Sequence, residues 1–306
     1  ADKAWMNSFY PGFMQNSQTG GKTWGIPFQR STVVMYWNKD LFKAAGLDPE
    51  TPPKTWAEEI AFAKQIKEKT GTAGYGLPAK TFDNTMHQFM HWVYTNNGKL
   101  IDGDKIVADS PEVLAALQAY KDITPYSVEG ATAYEQNEIR AIFLDGKVGM
   151  IQAGSGAAYR LKDTKVNWGV APLPLGPSAK GEGTLLITDS LAIFKGSGVE
   201  EKATEFAKYI TSTDIQHEYE LQGGAGLTPL RPGAVVDQFV ANEPFWKPFI
   251  DGIAYGGPEP LFTDYKGFQN VMIELVQSVV TGKAEPADAL KKASERLLRY
   301  LQERNL

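Results

Sequence analysis

Short apolar runs alternate with longer amphipathic stretches along most of the chain. The run at 32–37 is β-branched and aromatic, which predicts a buried strand. Further strands are predicted at 75–78, 148–152, 168–173 and 185–194, the last interrupted by Thr188-Asp189-Ser190. Helical spacing predicts helices at 41–45, 56–71, 86–94, 111–123, 139–144, 200–212, 213–222, 265–281 and 286–304. Strands that alternate with helices predict parallel-type α/β sheets with helices on both faces.

Residues with capping chemistry support several of these boundaries. Asn38 precedes the helix at 41–45, and Gly46 closes it. Thr55, followed by Glu58 three residues later, is typical of a capping box. The segment 18–21 ends in two glycines and predicts a turn.

Composition narrows the classes of protein. The 306 residues are 42% hydrophobic and 22% charged, as in soluble globular proteins, and the length allows two domains. The net charge of −5 argues against a nucleic-acid binder. The absence of cysteine excludes disulfides, thiolate metal sites and cysteine nucleophiles. No apolar run reaches the roughly 18 residues of a membrane span, and the first residues do not resemble a signal peptide, so the chain is expected to be mature, trimmed or a fragment.

The segment 26–42, IPFQRSTVVMYWNKDLF, resembles a segment of the family 1 extracellular solute-binding proteins of ABC-type importers. The segments 44–49 and 52–56 continue the resemblance. Within the family the chain is most similar to glycerol-3-phosphate-binding proteins and more distantly to maltose-binding proteins. Further matches follow in the family's order, at Phe143 with 146–150, at 168–170 with 172–174, at 190–193, at 226–229, and at 281–283 with Ala289-Leu290.

The resemblance implies an α/β fold of the periplasmic-binding-protein type II, in which a solute binds between two lobes joined by crossing hinge strands. It implies crossings near 28–33, 186–190 and 249–257. One lobe would comprise 33–186 plus 256–306, and the other 1–28 plus 190–250. Family members carry additional residues before the position of Trp24 that supply the first strands of the second lobe. The N-terminal part of that lobe is thus expected to be missing, so that either the chain is a fragment or another segment covers the free sheet edge.

A strand-to-helix turn and the first predicted crossing carry candidate ligand residues. Gly154, Ser155 and Gly156 join a strand to a helix, where backbone N–H groups attract anions and glycine permits close approach, although a plain connecting turn has the same pattern. The resemblance places this turn in the cleft. Ser31, at that crossing, can offer a hydroxyl to the solute or be a polar edge residue. The neighbouring Arg30 can pair with a phosphate or point to solvent, and we expect it to point to solvent.

Thr188 and Asp189 lie at the second predicted crossing. A carboxylate accepts hydrogen bonds from sugar or polyol hydroxyls and repels phosphate, although Asp189 can equally cap a local turn. The resemblance to glycerol-phosphate binders also implies a cleft arginine in the tail region, where the segment 261–269 offers only Lys266. Both points favour a neutral sugar or polyol.

Aromatic residues supply the remaining candidates. Trp92 and Tyr94 can stack on a sugar ring or pack in the core, and Tyr265, with Phe268 and Gln269, is a cleft candidate by position. His87 and His91 have chelating i, i+4 spacing but lack the glutamate of the zincin pattern, so no metal or cofactor is expected. The segment 223–226 is expected to be a loop under the cleft.

The sequence thus predicts a non-catalytic, monomeric solute-binding component of an ABC importer that binds a sugar, polyol or glycerol phosphate. Its partners would be the solute and a membrane permease, with no nucleic acid, and its location periplasmic or lipid-anchored extracellular. A two-lobe carbohydrate-active enzyme is the first alternative, with Asp83 and Asp189 as its carboxylates. A fragment that acts as a non-binding interaction module is the second.

Overall fold

One length of chain passes from one sheet into another near residue 32. The computed structural model describes residues 3–103, 105–221 and 230–303. Strand β3 (Ile26–Ser31) pairs antiparallel with β10 (Leu185–Leu191), and β4 (Val33–Asn38), which begins two residues after β3 ends, pairs with β8 (Val148–Gly154) and β9 (Trp168–Ala171). The two sheets therefore share a continuous covalent connection through Thr32.

The larger sheet has the order β5-β8-β4-β9, with β5 (Ala73–Tyr75) parallel to β8. Both neighbours of β4 run antiparallel to it, so the sheet is mixed and the predicted parallel type is wrong for its centre. The reason is that β4 enters from the other sheet rather than through a helix of its own sheet, and a βαβ crossover is what enforces parallel pairing.

Every residue of β4 is buried, as its apolar sequence predicts. Side chains alternate across a strand, and the two faces of β4 accordingly enter different cores. Val33, Met35 and Trp37 belong to one cluster, which includes the helices around Trp92. Val34 and Tyr36 belong to another, which contains Trp246 and Phe249. Residues from the segment 244–253 thus pack directly on the larger sheet.

Helices pack on both sheets, and the caps predicted at Asn38 and Thr55 are present. Asn38 accepts hydrogen bonds from the N–H groups of Asp40 and Leu41, and Thr55 forms the capping box with Glu58. The helices are α1 (Lys3–Met6), α2 (Pro11–Gln15), α3 (Lys39–Ala45), α4 (Trp56–Thr70), α5 (Asp83–Tyr94), α6 (Pro111–Ile123), α7 (Gln136–Leu144), α8 (Gly156–Leu161), α9 (Glu200–Ile210), α10 (Thr213–Leu221), α11 (Ala234–Asn242), α12 (Lys247–Tyr255), α13 (Tyr265–Val280) and α14 (Pro286–Glu303).

The smaller sheet has the order β11-β10-β3, where β11 (Gly257–Pro258) runs parallel to the start of β10. The segment 249–257 is expected to be a crossing. In the structure most of it is the end of α12, and only Gly257, its last residue, belongs to a strand. Two hairpins complete the strands, β1 (Gln18–Thr19) with β2 (Lys22–Thr23) and β6 (Ile101–Asp102) with β7 (Lys105–Ile106). Gly20 and Gly21 both have positive φ, as the first hairpin's two-residue turn requires.

Beyond β10, apolar side chains face solvent. Phe194 is 88% exposed, and Phe206 and Tyr209 on α9 are also exposed. Within the described ranges, β3 is an edge strand of the smaller sheet. In these same ranges, no helix combines the length and apolar character needed to cross a bilayer.

Candidate functional site

The pairing of β3 with β10 places the predicted residues Ser31 and Asp189 on one face of the smaller sheet. Ile187 lies opposite Ser31, and Asp189 lies opposite Gln29. Directly opposed residues share a face, so these four form what we call the open hinge face. Gln29 and Asp189 are exposed, and Ser31 and Ile187 are half-buried. Polar groups on this face are therefore available to a solute.

Thr188 and Arg30 oppose each other on the other face. Arg30 is only 1% exposed, and its Nη1 donates a hydrogen bond to the Phe28 carbonyl oxygen at 2.9 Å. The expectation that Arg30 points to solvent is wrong, because helix α2 packs over β3 and β10 and the residue lies on the face that alternates with the open one. Thr188 is half-buried on this inner face.

The Gly154 turn lies against Ser31. A Cβ atom added at Gly154 would come within 2.6 Å of Ser31 Oγ, so the glycine lies directly against this hydroxyl. Ser31 Oγ donates to the Thr32 carbonyl oxygen at 3.0 Å. Ser155 is fully buried, whereas Gly154 and Gly156 are half-buried. The structure thus brings Ser31 and Gly154 together, while the Ser155 side chain belongs to the interior.

A cavity of about 410 Å³ opens beside the register shift between Asp189 and Ser190. We call it the hinge cavity. Its walls come from the chain around the first hairpin, from β10 and from the segment after β11; its described lining residues are Asn16, Ser17, Gln18, Thr19, Trp24, Gly25, Ser190, Ala192, Leu261, Phe262 and Thr263. None of these lining residues carries a charge. Neutral polar groups beside aromatic and aliphatic surface are the composition that suits a polyhydroxylated ligand.

Hydrogen bonds fix one wall of the hinge cavity to β10. Ser17 Oγ lies 2.6 Å from Ser190 Oγ, and Asn16 donates its Nδ2–H to the Leu186 carbonyl oxygen at 3.1 Å. Trp24 is 62% exposed, and its Nε1–H donates to the Thr19 carbonyl oxygen. The indole is therefore oriented by its own hairpin while most of its surface stays open to a ligand.

Tyr265 begins α13, shortly after the segment that lines the cavity. Its hydroxyl donates to the Glu259 carboxylate, and burial, followed by this carboxylate, raises the pKa of the phenol. Lys266 Nζ lies 3.4 Å from Gln269 Oε1. The hydroxyl of Tyr265 is thus engaged within the protein, and the ring is only half-buried.

Trp92 lies in the core. It is fully buried, and its ring centroid is 5.3 Å from that of Trp56 and 5.6 Å from that of Tyr120. An indole with no exposed surface cannot stack on a solute in this conformation, so the alternative of core packing describes it. The physical reason is that the Trp56 ring of α4 and the Tyr120 ring of α6 lie against the indole.

The two histidines of α5 have protein partners. His87 Nε2 lies 2.8 Å from Glu259 Oε1. His91 Nδ1 accepts a hydrogen bond from the Leu185 N–H at 3.2 Å, and burial lowers the pKa of His91 to about 3. Among the described residues, no cluster of three or more metal-ligating side chains occurs.

The two carboxylates of the enzyme alternative lie on different elements. Asp83 is at the start of α5, where its Oδ1 accepts from the Asn84 N–H, and Asp189 is on the open hinge face. No hydrogen bond described for either residue joins it to the other. The predicted loop 223–226 and the matched segment 226–229 lie outside the described residues.

Apart from Ser190, which lies at the second predicted crossing, the residues of the hinge cavity are not among the sequence-based candidates. Asn16 and Ser17 reach β10 across 170 and 173 positions of the chain, and local patterns do not encode such a pairing. One signal was available, since the first 21 residues are unusually rich in aromatic and polar residues and lack the periodicity of core elements.

The family model described as "Bacterial extracellular solute-binding protein" matches residues 1–217. The sn-glycerol-3-phosphate-binding periplasmic protein UgpB of Pectobacterium atrosepticum is 28% identical, with 88% of this chain and 64% of that protein covered.

Two solved structures share the fold. A Thermotoga lettingae ABC transporter solute-binding protein bound with α-D-tagatose superposes with a TM-score of 0.85 at 27% identity, covering 96% of this chain and 76% of that one. T. maritima MalE3 with maltose gives a TM-score of 0.83 at 25% identity, covering 98% and 78%. These matches confirm the predicted type II fold and the predicted similarity to glycerol-3-phosphate-binding and maltose-binding proteins.

Proposed function

We propose, from the premise that the chain belongs to the bacterial extracellular solute-binding protein family, that it captures a neutral polyhydroxylated solute for an ABC importer. The solute would be a sugar or polyol, and the chain would catalyse no reaction on it. Delivery to a membrane permease implies a periplasmic or lipid-anchored extracellular location. A soluble monomer suffices for this role.

One observation carries the choice of solute. The described lining of the hinge cavity holds seven neutral side chains that can form hydrogen bonds, and none that carries a charge. Lys22, whose Nζ lies 5.8 Å from the Trp24 ring centroid, is not among the lining residues. A phosphate held by the lining groups alone would lose its hydration without an equivalent electrostatic gain. Asp189 on the adjacent open hinge face adds a further acceptor for hydroxyl groups and repels an anion. The uncharged lining and the Asp189 carboxylate therefore support a neutral solute.

The same geometry supports capture by closure. We place one lobe on the larger sheet and the other on the smaller sheet, joined by the crossings near 28–33, 186–190 and 256–258. A solute that touches both lobes binds the closed form better than the open form, and it shifts the equilibrium by that difference in affinity. The family resemblance to ligand-bound two-lobe proteins supports this reading of the sheets.

A thermal-shift panel tests the solute class. We expect D-tagatose, maltose or a related neutral sugar to raise the melting temperature, because a ligand at 100 times its Kd stabilises the folded state by about 2.7 kcal/mol. sn-Glycerol-3-phosphate at the same concentration should have no effect. A shift with the phosphate ester alone would contradict the neutral-solute proposal, and no shift with any compound would leave the interaction-module alternative in its place.

Two substitutions test the site with the best neutral sugar from that panel. Trp24→Ala removes exposed aromatic surface and should weaken binding by about tenfold or more, as expected for the loss of about 1.5 kcal/mol. Trp24→Phe is the matched control, since it keeps an aromatic face. Asp189→Ala should abolish the thermal shift if its carboxylate accepts from sugar hydroxyls. Titration calorimetry that finds wild-type affinity in both alanine variants would place the solute elsewhere.

A further inference from the structure

The three segments that cross between the sheets meet at Thr184, which is buried. Its carbonyl oxygen accepts from the Gly257 N–H at 2.9 Å, in the segment that leads into β11. Its hydroxyl donates to the Val33 carbonyl oxygen at 3.1 Å, at the start of β4. Thr184 itself leads directly into β10. One residue therefore ties together the first, second and third crossings.

Helix α5 contacts the second and third crossings next to Thr184. His91 Nδ1 accepts from the Leu185 N–H, next to Thr184. Tyr94 OH donates to the Pro258 carbonyl oxygen, and its ring lies so close to Gly257 that an added Cβ would come within 2.3 Å. His87 pairs with Glu259, one residue further along. The spacing of His87, His91 and Tyr94 is i, i+4, i+7, which puts all three on one face of the helix.

The i, i+4 spacing of the two histidines is typical of a metal site, but in the structure the three side chains contact Glu259, Leu185 and Pro258. We propose that His87, His91 and Tyr94 are positioning residues that brace the crossing segments against the α5 lobe. The brace fixes the chain up to Leu186 and Pro258, so that the flexible part of the hinge begins beyond it. We place the bending point at the register shift between Asp189 and Ser190.

The position of the bulge supports this assignment. Hinges are short stretches that absorb a change in backbone angles next to rigidly packed segments. Leu185 and Leu186 are fully buried and paired with β11, whereas Asp189 and Ser190 are exposed and sit where the ladder with β3 slips by one residue. A bulge has fewer ladder hydrogen bonds to break than regular strand. Bending there also moves Ser190 and the hinge cavity, which links the brace to solute binding.

The brace can be tested without any solute, so its outcome is independent of the proposed function. The chain has no cysteine, which allows a spin-label pair at Lys69→Cys on α4 and Lys202→Cys on α9 without background labelling. His91→Asn and His91→Leu are nearly isosteric, but only asparagine keeps an acceptor near the position of Nδ1. Tyr94→Phe removes one hydroxyl and is a milder variant should His91→Leu fail to fold.

We expect His91→Leu and Tyr94→Phe to broaden the distance distribution between the labels, and His91→Asn to retain the parent distribution. Amide exchange at Leu185 should accelerate by roughly tenfold in His91→Leu only, as expected for the loss of one buried hydrogen bond. A lowered melting temperature with an unchanged distance distribution in both His91→Leu and Tyr94→Phe would make these ordinary core residues and overturn the proposal. If the distance distribution broadened as much in His91→Asn as in His91→Leu, the proposed role of the Nδ1 acceptor would be overturned.

Discussion

Replacing Glu59 with glutamine should make the protein more stable at pH 8 by up to about 5 kcal/mol and change its stability little at pH 4.5. Glu59 lies on the buried face of α4, where burial raises the pKa of its carboxyl from 4.5 to about 8. Within the described part of the chain, neither carboxyl oxygen has a hydrogen-bond partner. The folded state therefore holds this proton across a pH range in which an exposed glutamate has lost it.

The direction of the effect follows from proton binding. Between pH 4.5 and about 8 the unfolded chain binds fewer protons at this position than the folded chain, so stability falls as the pH rises. Below pH 4.5 both states are protonated, and above about pH 8 both are ionised, so the contribution becomes constant. A shift of this size corresponds to about 5 kcal/mol. Glutamine is neutral throughout and has no such dependence.

Urea unfolding of the parent and Glu59→Gln at several pH values measures the difference directly. Glu68→Gln is the matched control, because Glu68 is on the same helix but its side chain is 59% exposed, and its pairing with Lys64 at 3.9 Å is a surface interaction of small value. The control should follow the parent within about 0.5 kcal/mol at every pH. Parallel pH profiles for the parent and Glu59→Gln would show that the Glu59 carboxyl is ionised in the folded protein.

The elements that the sequence predicts well are those governed by local chemistry. Strand β4 is apolar on both sides, and both its faces are in fact covered by core. The capping boxes and glycine stops need only residues within one turn of the helix, so Thr55 and Gly71 bound α4 as expected. Prediction is less accurate where a residue's role depends on distant chain, as at 249–257, where α12 packs on Trp246 and the larger sheet.

The candidate site shows the same division. Register places Ser31 and Asp189 on one face, but the sequence does not reveal which face α2 covers, and this decides that Arg30 is buried while Asp189 is exposed. Trp92 was an aromatic candidate whose burial depends on Trp56 and Tyr120, contributed by two other helices. The hinge cavity depends on contacts between Ser17 and Ser190 and was invisible to any local pattern.

Gly74→Ala should cost about 3 kcal/mol or more, because the added methyl group would collide with backbone rather than side chain. A Cβ at Gly74 would lie 2.0 Å from the Ala63 carbonyl oxygen and 2.4 Å from Ala63 Cα. Strand β5, which contains Gly74, packs on α4 at this point and pairs with β8, which ends at Gly154. Accommodating the methyl group requires the helix and the sheet to separate.

The backbone origin of the clash makes the prediction specific. Ala63→Gly combined with Gly74→Ala should not restore stability, since removing the Ala63 methyl group leaves the colliding atoms in place. Gly252→Ala on α12 is the control, because its nearest contact would be 3.3 Å and alanine is favoured over glycine in a helix by about 1 kcal/mol. Denaturant unfolding should therefore show a large loss for Gly74→Ala, alone or with Ala63→Gly, and little change for Gly252→Ala. Rescue by Ala63→Gly would show that α4 and β5 are separated more widely than this packing requires.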